Sequence, residues 1–210
     1  MAIPACLSLA ATLAFSAPAH AAEQGYDPAI AAALDRVADG SWTDADIQLI
    51  QGVPEVGQAV PDPRDEGTVS EVKIDTSPNI YPPENAPGTY QQAAAATTRC
   101  KDLTVSIDKK DFFGSRIYRF NTRTEWCYNG SKVTGIYRKD GWISNNTWGI
   151  YFRSWSIDSS STRPDGSAYH DKRANLDYCV AYYGCYTQTH PYVYLKMYKT
   201  GGYEHRRYAG

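Results

Sequence analysis

Three histidines, His170, His190 and His205, are the first residues to weigh for chemistry in this chain of 210 residues. None stands in an H-E-x-x-H or other zinc-building spacing, and there is no G-x-S-x-G nucleophile elbow. No Gly-rich loop follows a strand to hold a phosphate. His170 and Asp171 could form a general-base pair, but neighbours on a strand point to opposite faces. Each histidine therefore reads as a surface or turn residue. Glu125 and Asp177 are candidates for the paired carboxylates of glycoside hydrolysis. Glu125, however, lies on an outward, Arg-flanked strand face where an ordinary salt bridge is expected. The residues thus offer no catalytic group, no cofactor and no metal site.

Cationic and aromatic residues offer more. Tyr192, Tyr194, Lys196 and Tyr198 alternate with Val193, Leu195 and Met197, which predicts an outward stripe of rings and one ammonium. Such a stripe can stack on sugar rings or bases and hold anions. Arg206 and Arg207 are near in sequence, and Arg119 and Arg123 add basic character to the outer face of another strand. Residues 100–210 hold 14 Tyr, 4 Trp and 4 Phe, more hydroxyl-bearing rings than a core requires. Some must lie on the surface or in a groove.

Charge divides the chain. Residues 22–99 carry 4 Lys+Arg and 13 Asp+Glu, net −9; residues 100–210 carry 17 and 10, net +7. The basic half favours an anionic partner through its field: an anionic or glycan surface polymer, an acidic protein, or the chain's own acidic segment.

Residues 1–21 read as a signal peptide. Leu7–Ala19 is apolar but too short to span a bilayer, and Ala19-His20-Ala21 is an A-x-A cleavage site, although no Lys or Arg precedes the run. The mature protein is expected to be secreted and extracellular. Cys6 leaves with the leader, so Cys100, Cys127, Cys179 and Cys185 form an even set in an exported chain. Three connectivities exist; the favoured one joins Cys179 to Cys185 and Cys100 to Cys127, each bond stabilising by roughly 2–4 kcal/mol.

Residues 22–59 predict a short helical segment. Asp27-Pro28 opens a helix that Gly40 closes, and Thr43 with Asp46 forms a capping box for a second helix ending at Gln51. Residues 60–99 read as a Pro/Ala-rich, acidic, largely disordered linker with at most one strand at 69–74. Residues 100–210 switch to period 2, and six to eight strands are expected. The fold class is all-β, an antiparallel sandwich or barrel held by the disulfides. In 118–128 the even positions Tyr118, Phe120, Thr122, Thr124, Trp126 and Tyr128 face inward. Asn129-Gly130 then predicts a two-residue hairpin turn that pairs Trp126 with Val133 and Thr122 with Tyr137. Other turns are expected at 139–141, 158–166 and Gly184, with Trp142 and Trp148 in a loop. Along 168–183 one side carries Leu176, Tyr178, Val180 and Tyr182. The sequons at Asn129 and Asn145 matter only in a glycosylating host.

At Trp126-Cys127-Tyr128-Asn129-Gly130 the chain resembles a group of small secreted actinobacterial proteins. They share a W-C-x-(N/D)-G hairpin, a later cysteine pair, here Cys179 and Cys185, and a C-terminal strand ending in a Gly turn, here 192–203. The resemblance covers the C-terminal half. It implies export and an all-β fold and brings no catalytic residues.

Three functions remain in view: an exported non-enzymatic binding module, a secreted inhibitor or toxin held by its acidic segment, and a hydrolase. The stripe favours the first.

Overall fold

The computed structural model describes residues 26–76, 98–144 and 147–210. The predicted signal peptide, most of the predicted linker and the Asn145 sequon lie outside these.

Local chemistry sets the helices. In α1 (Pro28–Asp39) the Asp27 side chain accepts from the Ala29 N–H, Pro28 opens the first turn, and Gly40 ends the helix in the left-handed region. In α2 (Asp44–Gln51) Thr43 and Asp46 form the expected capping box. A single turn, α3 (Pro54–Gly57), follows. These helices are too short to hold a core alone. Ile30, Leu34, Ile47, Ile50 and Val56 instead pack with Phe112 and Val180 of the β region.

Among the described residues nine strands form two antiparallel sheets. The first has the order β1 (Thr68–Thr76), β2 (Arg99–Lys110), β3 (Arg116–Tyr128), β4 (Val133–Ser144). The second has β5 (Ile150–Thr162), β6 (Ala168–Val180), β8 (Tyr192–Met197), β9 (Tyr203–Tyr208), and β7 (Gly184–Thr189) also pairs with β6. Leu103, Val105, Ile107, Tyr118, Phe120 and Trp126 of the first sheet meet Leu176, Tyr178, Val193, Leu195 and Met197 of the second in one core, a sandwich. The even positions of β3 face inward as the period predicted. At one edge Glu71 of β1 reaches β9, accepting from Tyr203 Oη at 2.8 Å and lying 2.5 Å from His205 Nε2.

Both favoured disulfides are present. Cys100–Cys127 bridges β2 and β3, and Cys179–Cys185 closes the β6–β7 turn. No described helix is long and apolar enough to cross a membrane.

Several local readings are corrected. The strand expected at 69–74 spans 68–76 and pairs along β2, so the sandwich recruits chain from the acidic half. Residues 61–67 lead into it, with Pro61 bridging to Asp111. The hairpin after Trp126 is not a two-residue turn. Asn129 Oδ1 accepts from the N–H groups of Ser131 and Lys132, so the loop is Asn129–Lys132 and Val133 pairs with Tyr128. Bulges shift the register again, pairing Trp126 with Ile136 and Thr122 with Gly141 and leaving Tyr137 at a bulge. Residues 139–141 lie within β4, as does Trp142. Gly141 serves packing there, because a Cβ would sit 2.6 Å from Lys172 Cε. Asp158 is likewise in a strand, paired with Lys172, and the turn is confined to 163–166. Tyr182 is at the β6–β7 turn with φ 66° and is exposed rather than inward.

Candidate functional site

The predicted stripe lies on the outer face of the second sheet. Strand β8 alternates as expected: Val193, Leu195 and Met197 are buried, while Tyr192, Tyr194 and Lys196 are half-buried on the other side. Register then decides their neighbours. Tyr194 stands between Asp171 of β6 and Arg206 of β9, and Tyr192 stands between Arg173 and Tyr208. Tyr169 joins from β6, beside Lys196.

These residues form two stacks of cations and rings. In one, the Arg163 guanidinium lies 5.1 Å from the Tyr169 ring centre and donates to Tyr194 Oη at 2.7 Å. The Tyr169 and Tyr194 rings are parallel within 16°, 5.9 Å apart. In the other, Arg173 lies over Tyr192 at 4.7 Å, and Tyr192 meets the Tyr208 ring at 6.2 Å. Lys196 lies over Tyr198 and near Glu204 of β9. Cation–ring contacts hold the ring planes in place before any ligand arrives, which lowers the entropy cost of binding. Sequence reasoning missed Arg163, Tyr169, Arg173 and Tyr208. The alternation in β6 and β9 carried the inward or outward sense of Tyr169, Arg173 and Tyr208, but Arg163 belongs to the β5–β6 turn, and which strands lie beside β8 is a matter of topology.

Arg119 and Arg123 do not belong with the stripe. They lie on the outer face of the other sheet, and both are paired. Arg119 donates to both carboxylate oxygens of Asp108 at 2.5 and 2.7 Å, and Arg123 grips the buried Asp102. A long arginine opposite an aspartate on the adjacent strand forms this fork by geometry.

The catalytic candidates are separated. Glu125 is buried on the first sheet's outer side with no ion pair among the described residues, whereas Asp177 is on the second sheet, held by Arg153 and Gln188. They cannot act as a pair. His170 is a core residue, not a surface one. Its Nδ1 meets Thr124 Oγ1, its Nε2 is buried without a hydrogen bond among the described residues, and burial pushes its pKa down to about 4. Asp171 points outward and pairs with Arg173, as alternation required. His190 is exposed beside Asn175, and His205 is mostly buried against Glu71. Among the described residues no three His, Cys, Asp or Glu side chains could hold a metal.

A cleft of about 800 Å³ lies where the helical segment meets the end of the sandwich. The end of α1 and Trp42 form one wall; β7 and the end of β9 form another. Tyr208 belongs to both the cleft and the outer face, so the two are continuous. Sequence reasoning could not see this cleft, because its walls come from segments far apart in the chain. No protein-family model, no curated protein and no solved structure matches the chain.

Proposed function

We propose that this is an exported, non-enzymatic binding module that holds an anionic or glycan surface polymer on the outer face of the second sheet. The observation that carries the reading is the pair of stacks, Arg163–Tyr169–Tyr194 and Arg173–Tyr192–Tyr208, side by side on one half-exposed face. Flat rings accept sugar rings, and the cations between them attract anions and donate hydrogen bonds. A rigid sheet sets their spacing, which suits a repeating polymer better than a single small molecule. The two disulfides fit an oxidising compartment, and the leader supplies a route to it.

The test uses the full oxidised chain and its Tyr192→Ala/Tyr194→Ala variant, assayed for retention on bacterial wall material at low and high salt. An aromatic stacking position is worth about 1–3 kcal/mol, so losing two should weaken retention at least about tenfold. The wild type should be retained at low salt and released by high salt. No retention at low salt, or equal retention of both forms, overturns the reading.

A further inference from the structure

The cleft combines three kinds of group. Trp42 and Tyr208 supply ring surface, and Arg206 and Arg207 supply guanidinium groups. Asp39, Asp65 and Glu66 supply carboxylates, and Lys109 an ammonium. The pairing of these charges decides what remains for a ligand. Lys109 is buried and donates to the Asp65 carbonyl, and Asp65 accepts from the Lys110 and Gly67 N–H groups. Asp39 is taken by Ser41. The side chains of Arg206 and Arg207, by contrast, have no ion pair or hydrogen bond among the described residues, although those of Arg36, Arg64, Arg116, Arg119, Arg123 and Arg153 all do. Neighbours on a strand point to opposite faces, and Arg206 stands beside Tyr194 on the outer face, so what is left free for the cleft is the Arg207 guanidinium and the carboxylate of Glu66.

Guanidinium is the side chain suited to a planar carboxylate, through two parallel hydrogen bonds. A free carboxylate nearby suits hydroxyl donors and repels a phosphate, with up to two negative charges on one group, more than a sugar carboxylate with one. Ring surface suits the face of a sugar. Tyr186 also lines the cleft, and its hydroxyl is buried without a hydrogen-bond partner among the described residues. The volume lies within the roughly 300–1,000 Å³ range of small-molecule sites, room for a short oligosaccharide but not for a folded partner.

We infer that this cleft is a second site, specific for a short segment of acidic glycan, with a sugar carboxylate held by the fork of Arg207 and a ring against Trp42 and Tyr208. The inference rests on the binding reading above and deepens it. A polymer lying on the outer face passes Tyr192 and Tyr208 and can place one acidic ring in the cleft.

Calorimetry of the full oxidised chain tests this with three probes: trigalacturonate, the neutral maltotriose, and uridine monophosphate. The protein forms are wild type, Arg207→Ala, Trp42→Ala and Tyr194→Ala. Arg207 is exposed and unpaired, so its loss should leave the thermal midpoint unchanged. Trigalacturonate should bind one to one and maltotriose at least about tenfold more weakly. Arg207→Ala should weaken trigalacturonate at least about tenfold, as expected when one charge-assisted pair is lost, and Trp42→Ala several-fold. Tyr194→Ala should leave it within about twofold, because Tyr194 is outside the cleft. Equal affinity for maltotriose, tighter binding of the nucleotide, or no binding of trigalacturonate overturns the cleft assignment. Loss of binding in Tyr194→Ala but not in Arg207→Ala also overturns it, and in that case the outer-face reading stands. That reading falls separately, if wall material fails to retain the wild type.

Discussion

Thr124 Oγ1 lies 2.7 Å from His170 Nδ1, joining β3 to β6 through the middle of the sandwich. The imidazole's other nitrogen is 3.9 Å from Asp158, which itself takes the Lys172 ammonium at 2.6 Å. Burial is the main cause that pushes the histidine down to about 4. Asp158 and Asp171 pull it back, and Lys172 and Lys139 push it further down. The folded chain therefore refuses a proton that the unfolded chain accepts between about pH 6.5 and 4. Stability from this residue is complete above that window and is lost as pH falls through it, by about 3 kcal/mol in all. Urea unfolding at pH 7.5 and 4.5 checks this. The wild type should lose more stability across the interval than His170→Gln, and equal losses would show that the proton is taken up elsewhere.

The disulfides should differ in weight. Cys100–Cys127 closes a sequence separation of 27 and Cys179–Cys185 one of 6. Chain entropy grows with the logarithm of the loop, giving about 3.6 and about 2.4 kcal/mol respectively. Replacing the first pair by alanines should therefore lower the denaturation midpoint more than replacing the second. The reverse order would mean that the tight turn after β6, which carries Tyr182 in the left-handed region, depends on its bond for more than entropy.

Two glycines separate backbone strain from steric conflict. Gly40 has φ 80° with open space where a Cβ would sit, whereas Gly149 has φ 98° and a Cβ there would lie 2.4 Å from the Cys179 carbonyl oxygen. That carbonyl belongs to the β6 backbone and cannot swing aside. Gly40→Ala should cost about 1 kcal/mol, the price of the left-handed region alone. Gly149→Ala adds an overpacking cost of about 1–3 kcal/mol. Thermal midpoints of the two variants should rank in that order.

The period-2 pattern made the inner faces legible. Phe120, Trp126, Leu195 and Met197 were placed in the core from alternation alone, and the helix caps at Asp27 and Thr43 were read from local hydrogen-bonding capacity. What alternation could not supply was register. Asn129 bonds its own loop, and the bulge at Tyr137 inserts a residue, so each shift moved the pairing of Thr122 while leaving its face unchanged. Gly141 looked like a turn residue because a strand glycine and a turn glycine have the same letter; only the Lys172 side chain against it tells them apart. His170 was misjudged for a related reason. A histidine between alternating residues says nothing of whether a partner such as Thr124 waits across the core. The half of the site that depends on topology, Arg163 with Tyr194 and Arg173 with Tyr192, emerges only when β6, β8 and β9 are set side by side.

Arg119 and Arg123 provide the sharpest contrast with the cleft. Asp102 is 5% exposed and is held by Arg123, with Arg138 3.6 Å away as a weaker second partner. Removing Arg123 leaves a buried carboxylate short of its main donor, and hydrogen bonds to charged groups are worth about 1.5–3 kcal/mol each. Arg123→Ala should therefore lose stability of about that size and leave retention on wall material unchanged. Arg207→Ala should do the opposite for trigalacturonate, with little change in stability. Denaturant midpoints and binding, measured on both variants, check the crossing. A stable Arg123→Ala that fails to bind would return the first sheet's outer face to the site.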